Sequence, residues 1–413
     1  MQPQETRTDR RDFLKLSART GAAVAGGVFG RPPQGHAGAV PRPGARASLR
    51  TLLGGKGAIA ITMWDFSWLE RRWPGAGYED WDQALDELKA RGYDAVRIDA
   101  YPHLVAVAPD REWEILPVWN QQDWGAPALC RVKVQPSLNE FLGKCADRGV
   151  HVGLSTWFRE DRDNSRMLIK SPQDLGAVWV KTLQTVDRRL RANLLYVDLC
   201  NEFPLDLFAP FLPKGMLRHS PEGARWMREA VAVVRSAFPD LDYTVSFTTE
   251  YETWEKQDVS MLDFLELHCW MTHWNDFYKQ VGYNYERFDP EGYENLVAKG
   301  EKLYRSKPDF WKKSLAEGIG LLARWSRLFG KPLVTTECWA VVDYKDWPLL
   351  DWGWVKELCE FGVREACSTG RWVAMATSNF CGPQFVGMWR DVKWHRRMTQ
   401  LIHASRVDFR QAQ

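Results

Sequence analysis

The chain has 413 residues, 45% of them hydrophobic and 26% charged, with a formal net charge of +2. That composition suits a globular protein with a sizeable core and excludes a strongly basic nucleic-acid binder or a polybasic membrane-surface protein. The 22 tryptophans exceed what one core needs, so some are expected to line a surface that stacks on flat apolar faces.

At the N-terminus, Thr8-Asp9-Arg10-Arg11-Asp12-Phe13-Leu14-Lys15 precedes an Ala/Gly-rich run from Leu16 to Gly30 and then Ala37-Gly38-Ala39. These are a charged n-region, an apolar h-region and a small-residue cleavage site. The paired arginines followed by Phe-Leu-Lys match a twin-arginine export signal, against the plainer alternative of a disordered basic tail. Residues 1–39 are therefore expected to be removed, 40–56 to be a Pro/Arg/Gly linker and 57–413 to be the folded domain, located in the periplasm or outside the cell. No later stretch is long and apolar enough to span a bilayer. Eight cysteines include no C-x-x-C pair, so thiols are expected and a zinc site is not.

From residue 57 strand-like and helix-like segments alternate. Ala58–Phe66 reads as the first strand and Tyr78–Arg91 as a helix stopped by Gly92. Tyr93–Tyr101 is the second strand, and Ser137–Arg148 a helix with Ser137 as its cap. Val150–Trp157 is the third strand, followed by the helix Ser171–Arg191, with Ser171-Pro172 as cap and first position. Leu194–Glu202 is the fourth strand, and a helix runs from Ser220-Pro221 to Phe238. Tyr243–Thr249 and Leu262–Trp270 are the fifth and sixth, with a short segment around Ser260 between them. A long insertion and helical sequence ending in Trp311–Phe329 lead to the seventh strand, Pro332–Ala340. The helix Trp352–Thr369, the eighth strand Arg371–Phe380 and a closing helix Val392–Ala404 complete the pattern. Eight such units imply a single-domain (β/α)8 TIM barrel with long loops after strands two and six. An open doubly wound sheet would need a glycine-rich phosphate turn after the first strand, where Trp64-Asp65-Phe66 offers none.

Barrels of this kind carry their chemistry at the carboxyl ends of the strands. That rule places Glu202, at the end of Leu194-Leu-Tyr-Val-Asp-Leu-Cys-Asn-Glu202, on one rim with Glu337, at the end of Pro332-Leu-Val-Thr-Thr-Glu337. Asp65, Trp157, His268, Trp270 and Asn379 share the rim, and the loops 102–136 and 271–290 bring Trp113, Trp119, Trp124, Trp274, Tyr278, Tyr283 and Tyr285 to fold over it. Either glutamate alone could be a structural carboxylate satisfied by an Arg or Lys. Two on opposite sides of an eight-strand ring suit glycosidic cleavage, in which one carboxyl group protonates the departing oxygen and the other attacks the anomeric carbon or activates water. His268 reads as a core histidine or as a substrate contact. Asp65 and Asp99 could bind hydroxyls, and Asp99 could instead pair with Arg97. No P-loop, Ser-His-Asp spacing or metal-ligand cluster appears, so neither a cofactor nor a metal is expected.

Asn201-Glu202-Phe203-Pro204 resembles the Asn-Glu-Pro signature of the clan-A retaining glycoside hydrolases, the cellulase-like (β/α)8 enzymes. Thr336-Glu337-Cys338-Trp339 resembles their nucleophile strand, while Val96-Arg97-Ile98 and Glu266-Leu267-His268-Cys269-Trp270 are similar to their second and sixth strands. The resemblance covers the barrel and implies that Glu202 is the acid/base, Glu337 the nucleophile, Asn201 the partner of the sugar's 2-hydroxyl and Arg97 the group that steadies the nucleophile. The sequence departs from the family at Trp270, where a Tyr is usual, and at Thr156-Trp157, which lacks a His. It departs again at Ser378-Asn379-Phe380, which replaces a Trp platform. The resemblance and the export signal together imply an exported retaining glycoside hydrolase or transglycosylase acting on an oligo- or polysaccharide, without cellulose carried over as the substrate. Arg97, Asn201, His268, Trp270, Asp65, Trp64, Trp157, Trp339 and Asn379 are the expected substrate contacts, and the charge of Glu337 is expected to keep Glu202 partly protonated. An unusual linkage or a furanoside on the same scaffold is a second reading, and a catalytically silent carbohydrate-binding barrel a third.

Overall fold

The computed structural model describes residue 49 and residues 57–117, 124–283, 290–344 and 350–408. The expected export signal, the rest of the expected linker, Trp119 and Tyr285 lie outside the described residues. Among the described residues, eight parallel strands form a barrel. Strands β1 (Ile59–Asp65), β2 (Ala95–Asp99), β3 (His151–Ser155) and β4 (Leu194–Asp198) are continuous. Three are interrupted: β5 (Asp242–Thr244 and Ser246–Phe247), β6 (Leu265–Leu267 and Cys269–Trp270) and β7 (Leu333–Thr335 and Cys338–Trp339). The last strand, β8 (Trp372–Met375), pairs with β1. The ring closes at β5, whose first half pairs with β4 and whose second half pairs with β6.

Every residue of β2 and β4 is buried, as a parallel sheet covered by helices on one side and filled on the other requires. The covering helices are α1 (Trp81–Ala90), α2 (Val134–Asp147), α3 (Pro172–Thr185), α4 (Pro221–Ala237), α5 (Pro290–Ser306), α6 (Pro308–Phe329), α7 (Gly353–Thr369) and α8 (Val392–His403). Local chemistry sets several starts: Ser171 accepts the Asp174 N–H and Ser220 accepts the Gly223 N–H, each followed by proline at the first helical position. Ser137 does not act as a cap. It lies inside α2, which is entered directly from the strand Cys130–Lys133 through a non-helical Gln135, so the preceding strand sets the entry. The fifth unit has no helix, only the 3-10 turn Tyr251–Lys256 between β5 and β6.

An apolar cluster of Ile61, Ala95, Leu195, Phe264, Val334 and Val373 fills the barrel interior. Leu49 joins it, so packing on the barrel begins inside the stretch expected to be a linker. Among the described residues ten tryptophans are less than 2% exposed, so the surplus over an ordinary core is largely structural. The long loops are built rather than open. The loop after β2 contains the helix Pro102–Val107 and an antiparallel hairpin, Glu112–Ile115 with Cys130–Lys133. The one after β6 contains Met271–Trp274 and Phe277–Val281, and among the described residues these loops bury Trp113, Trp124, Tyr278 and Tyr283 and half-bury Trp274.

Candidate active site

The functional side chains sit where the strands break. Glu337 occupies the gap in β7 and His268 the gap in β6. Beyond β4 the chain turns through Asn201 into Glu202, whose φ of 48° is left-handed and unfavourable for a glutamate. Two bonds hold that turn: the Asn201 N–H donates to the Thr156 carbonyl at 2.9 Å and the Glu202 N–H donates to Ser246 Oγ at 2.9 Å. Asp65, at φ 36°, ends β1 where its register with β2 shifts, and the irregularity turns its carboxylate toward β2.

Arg97, fully buried on β2, is the hub. Its Nε and Nη2 donate to Asp65 at 2.8 and 2.9 Å, and Nη2 also reaches Asn201 Oδ1 and Glu337 Oε1, each at 2.7 Å. Nη1 donates to Thr336 Oγ1 at 2.7 Å and to His268 Nε2 at 3.3 Å. A guanidinium can only donate, so His268 Nε2 accepts and the ring proton sits on Nδ1. Nδ1 therefore donates to Glu202 Oε1, at 2.7 Å. Burial, with the charge of Arg97 beside it, holds the imidazole well below its usual pKa and keeps it neutral.

An oxygen of Glu202, an oxygen of Glu337 and a nitrogen of His268 all lie within 4.8 Å of one another. Glu202 is 7% exposed and Glu337 4%. Burial pushes the Glu202 carboxyl up to about 8 and raises Glu337 as well. Two carboxyl groups this close hold one negative charge far more easily than two. The 2.7 Å contact with Arg97 places that charge on Glu337 and leaves the proton with Glu202. Burial, and not the expected charge of Glu337, is the largest cause of the raised Glu202, with the charges of Asp343 and Asp65 adding to it. The same three residues have the spacing of a metal site. Arg97 already donates to two of them, and a divalent ion there would sit against its fixed positive charge.

Several expected substrate contacts are structural. Asp65 is fully buried and grips Arg97, so it binds no hydroxyl. Trp64 packs between Tyr78 and Phe141 of the helical layer, and its indole N–H donates to the Cys381 carbonyl. Trp339 lies against Gly362 of α7 and donates to the Ala376 carbonyl at 2.9 Å. Strand alternation explains Trp64, which neighbours Asp65 and so faces the helices, whereas Trp339 shares the parity of Glu337 and faces the helices across the break in β7. Trp270, 1% exposed, reaches Asn379 Oδ1 at 3.4 Å, and Asn379 Nδ2 donates to the Val342 carbonyl at 2.8 Å, so these two brace each other. His268 is neither plain core nor a free contact, because it links Arg97 to Glu202. Asp99 does not pair with Arg97; its carboxylate accepts the N–H groups of Tyr101 and Trp157. Trp157, 7% exposed, remains on the rim.

Sequence reasoning passed over four residues. Thr336 bridges Arg97 to Glu266, and Glu266 accepts both its N–H and its hydroxyl, at 2.9 and 2.6 Å. Ser246 pins the Glu202 turn. Asp343, buried after β7, accepts from the Tyr283 hydroxyl at 2.6 Å, is pushed up to about 7 by burial, and adds negative charge that raises Glu202. An acid inside the apolar Ala340-Val341-Val342-Asp343-Tyr344 was a usable signal for the last of these.

This is the architecture of a (β/α)8 glycoside hydrolase, with two facing glutamates on the carboxyl-terminal rim of the barrel. The family model for cellulase-like, sugar-binding cellulase-like proteins matches residues 61–403, and the chain belongs to that family. A search of curated proteins finds no match. Among solved structures, the chain is 51% identical to a "putative glycoside hydrolase" from Parabacteroides distasonis, covering 86% of this chain and 95% of that one, with a TM-score of 0.83. An endo-β-1,4-mannanase from Thermotoga petrophila shares the fold at 11% identity and a TM-score of 0.51, covering 87% of this chain and 79% of that one.

Proposed function

We propose that the protein cleaves a glycosidic bond with retention of anomeric configuration, Glu337 acting as nucleophile and Glu202 as acid/base. The observation that carries this reading is the spacing. Carboxyl groups stand about 5–5.5 Å apart in retaining sites and about 6.5–9.5 Å in inverting ones, and these have oxygens within 4.8 Å. In the first step a Glu337 oxygen bonds to the anomeric carbon as the glycosidic bond breaks, and Glu202 gives its proton to the departing oxygen. In the second step Glu202 takes a proton from water, whose oxygen displaces Glu337. A sugar hydroxyl in place of that water gives transglycosylation. Asn201 suits the sugar's 2-hydroxyl: Arg97 and Ser246 fix its Oδ1 at 2.7 and 3.3 Å, while its buried Nδ2 has no acceptor among the described residues.

A silent binding barrel has no use for a protonated acid held against an ionised nucleophile. An activated 2-deoxy-2-fluoro glycoside separates the readings: a covalent adduct on the Glu337 peptide and a first product of retained configuration are expected. An inverted first product, or an adduct elsewhere, would overturn the assignment. Export by the twin-arginine route is proposed from Arg10-Arg11 and Phe13-Leu14-Lys15. Replacing both arginines with lysine should hold the protein in the cytoplasm, and a double variant still found outside it removes that part of the proposal.

A further inference from the structure

Glu202 has a second hydrogen-bonding partner besides His268, supplied from the ends of β5 and β6. Thr248 directly follows β5 and is buried, and its hydroxyl hydrogen-bonds the Glu202 carboxyl. His273 lies in the turn Met271–Trp274 after β6, and its Nε2 stands 3.4 Å from the same hydroxyl. Three rings pack around the imidazole: Trp270 meets it edge-on with centroids 4.8 Å apart, and Tyr251 and Trp274 lie at 6.1 and 6.2 Å. Tyr251 also ties the two strand ends together, since its hydroxyl reaches the Phe247 and His268 carbonyls at 2.6 Å each.

The direction of this chain of hydrogen bonds follows from the nitrogen left over. His273 Nδ1 is covered and has no partner among the described residues. Burial holds the ring well below its usual pKa, so it is neutral and carries one proton. On Nδ1 that proton would be a buried donor with nothing to accept it, a rarer state than a bare lone pair. The proton therefore sits on Nε2 and is donated to Thr248 Oγ1. With its oxygen engaged that way, the Thr248 hydroxyl turns its own proton to the Glu202 carboxyl, its other partner among the described residues. Glu202 thus receives two hydrogen bonds from neutral donors, one from His268 Nδ1 at 2.7 Å and one from Thr248. Both strengthen when the carboxyl gives up its proton, because a charged acceptor holds a donor about twice as well as a neutral one.

We propose that Thr248 and His273 are positioning residues for the acid/base: His273 turns the Thr248 hydroxyl onto Glu202, and that hydroxyl eases release of the Glu202 proton to the departing oxygen. The proposal rests on the glycosidase reading of Glu202 and Glu337. Thr248→Val removes the hydroxyl at nearly constant volume, Thr248→Ser keeps it without the methyl group, and His273→Phe keeps a ring without nitrogens. The purified variants are compared with wild type on phenyl and 4-nitrophenyl glycosides of the gluco, manno, galacto and xylo series, across about pH 5 to 10. Thr248→Val should lower kcat/KM about tenfold on the phenyl glycoside, whose leaving group needs the proton, and less than about threefold on the 4-nitrophenyl one. The high-pH limb of kcat/KM should move upward by about one unit, because the lost donor favoured the ionised carboxyl. The charges that face Glu202 stay in place in every variant: Asp65 on β1, Arg97 on β2, Glu337 in β7, Asp343 beyond it and Arg218 before α4. Cys200 and Tyr251, beside it, are held neutral by burial. His273→Phe should move both readouts the same way by about half as much, and Thr248→Ser should stay within about twofold of wild type. A Thr248→Val protein that loses equally on both leaving groups, with an unmoved limb, overturns the proposal. So does a Thr248→Ser protein as impaired as Thr248→Val. If Thr248→Val does not fold, His273→Phe decides, and wild-type behaviour there overturns the proposal. A wild type inactive on the whole panel removes the glycosidase reading and the proposal with it, whereas the variant outcomes touch the proposal alone.

Discussion

Two ends of the same barrel mouth hold the same side chain in opposite states. At β7, Glu337 meets a guanidinium at 2.7 Å and carries the charge. Beyond β4, Glu202 accepts from the neutral imidazole of His268 at 2.7 Å, and burial pushes it up to about 8. Neither role is written in the residue type. Each follows from which strand supplies the neighbour: β2 sends Arg97 toward β7, while β6 sends His268 between the two glutamates. Environment sorts two carboxyl groups into acid and nucleophile, and the comparison can be broken from either side.

The largest effect should come from the charged end. Glu337→Gln removes the attacking oxygen, and kcat/KM on any substrate should fall on the order of 10⁵-fold. Glu337→Gln activity within tenfold of wild type would place the nucleophile elsewhere.

The protonated end should behave differently. Glu202→Ala should cost about 10³-fold with poor leaving groups but little with activated aryl glycosides, because an acid matters only when the departing oxygen needs a proton. Azide should restore turnover and yield a glycosyl azide of retained configuration. Wild-type kcat/KM should decline as pH rises through about 8, where Glu202 loses its proton, and Glu202→Ala should lack that decline. Equal losses on good and poor leaving groups would count against Glu202 as the acid.

How much of this was legible in the sequence differs between backbone and site. The eight strands and the two glutamates could be read because apolar runs ending at a carboxylate are local patterns, as in Leu194–Glu202. Trp64 and Trp339 were misplaced for a physical reason. Strand alternation decides whether a side chain faces the helices or the mouth, and breaks such as the one at Thr336-Glu337 shift that count. Thr336 and Ser246 act through contacts between strands distant in sequence, which no local pattern records. Arg97 was named by family resemblance, but its grip on Asp65 needed the fold.

Between the two ends sits their connection, and Arg97→Lys tests it. Lysine keeps one charge but cannot supply Asp65, Asn201, Thr336, His268 and Glu337 from one planar fork. Activity should fall about 10²-fold, and the fall should be in kcat more than in KM, because the nucleophile loses its aim. A loss confined to KM would make Arg97 a substrate contact instead.

The smallest effect is on stability, and it follows from how many acids the barrel buries near that connection. Burial raises Glu202 to about 8, Glu266, Asp99 and Asp343 to about 7, and Asp198 to about 6, from ordinary values of 4.5 for Glu and 3.8 for Asp. Between those limits the folded state binds more protons than the unfolded one, so stability falls as pH rises. The contribution is complete below about pH 4 and is lost as pH climbs through 6 to 8. Melting temperature should therefore be lower at pH 8.5 than at pH 5.5. Glu266→Gln, whose amide oxygen can still accept from Thr336, removes one titrating group and should shrink that difference by about 2 °C. A melting temperature that rises across this interval would mean that these acids are ionised in the folded protein, and would remove the basis for calling Glu202 the protonated partner.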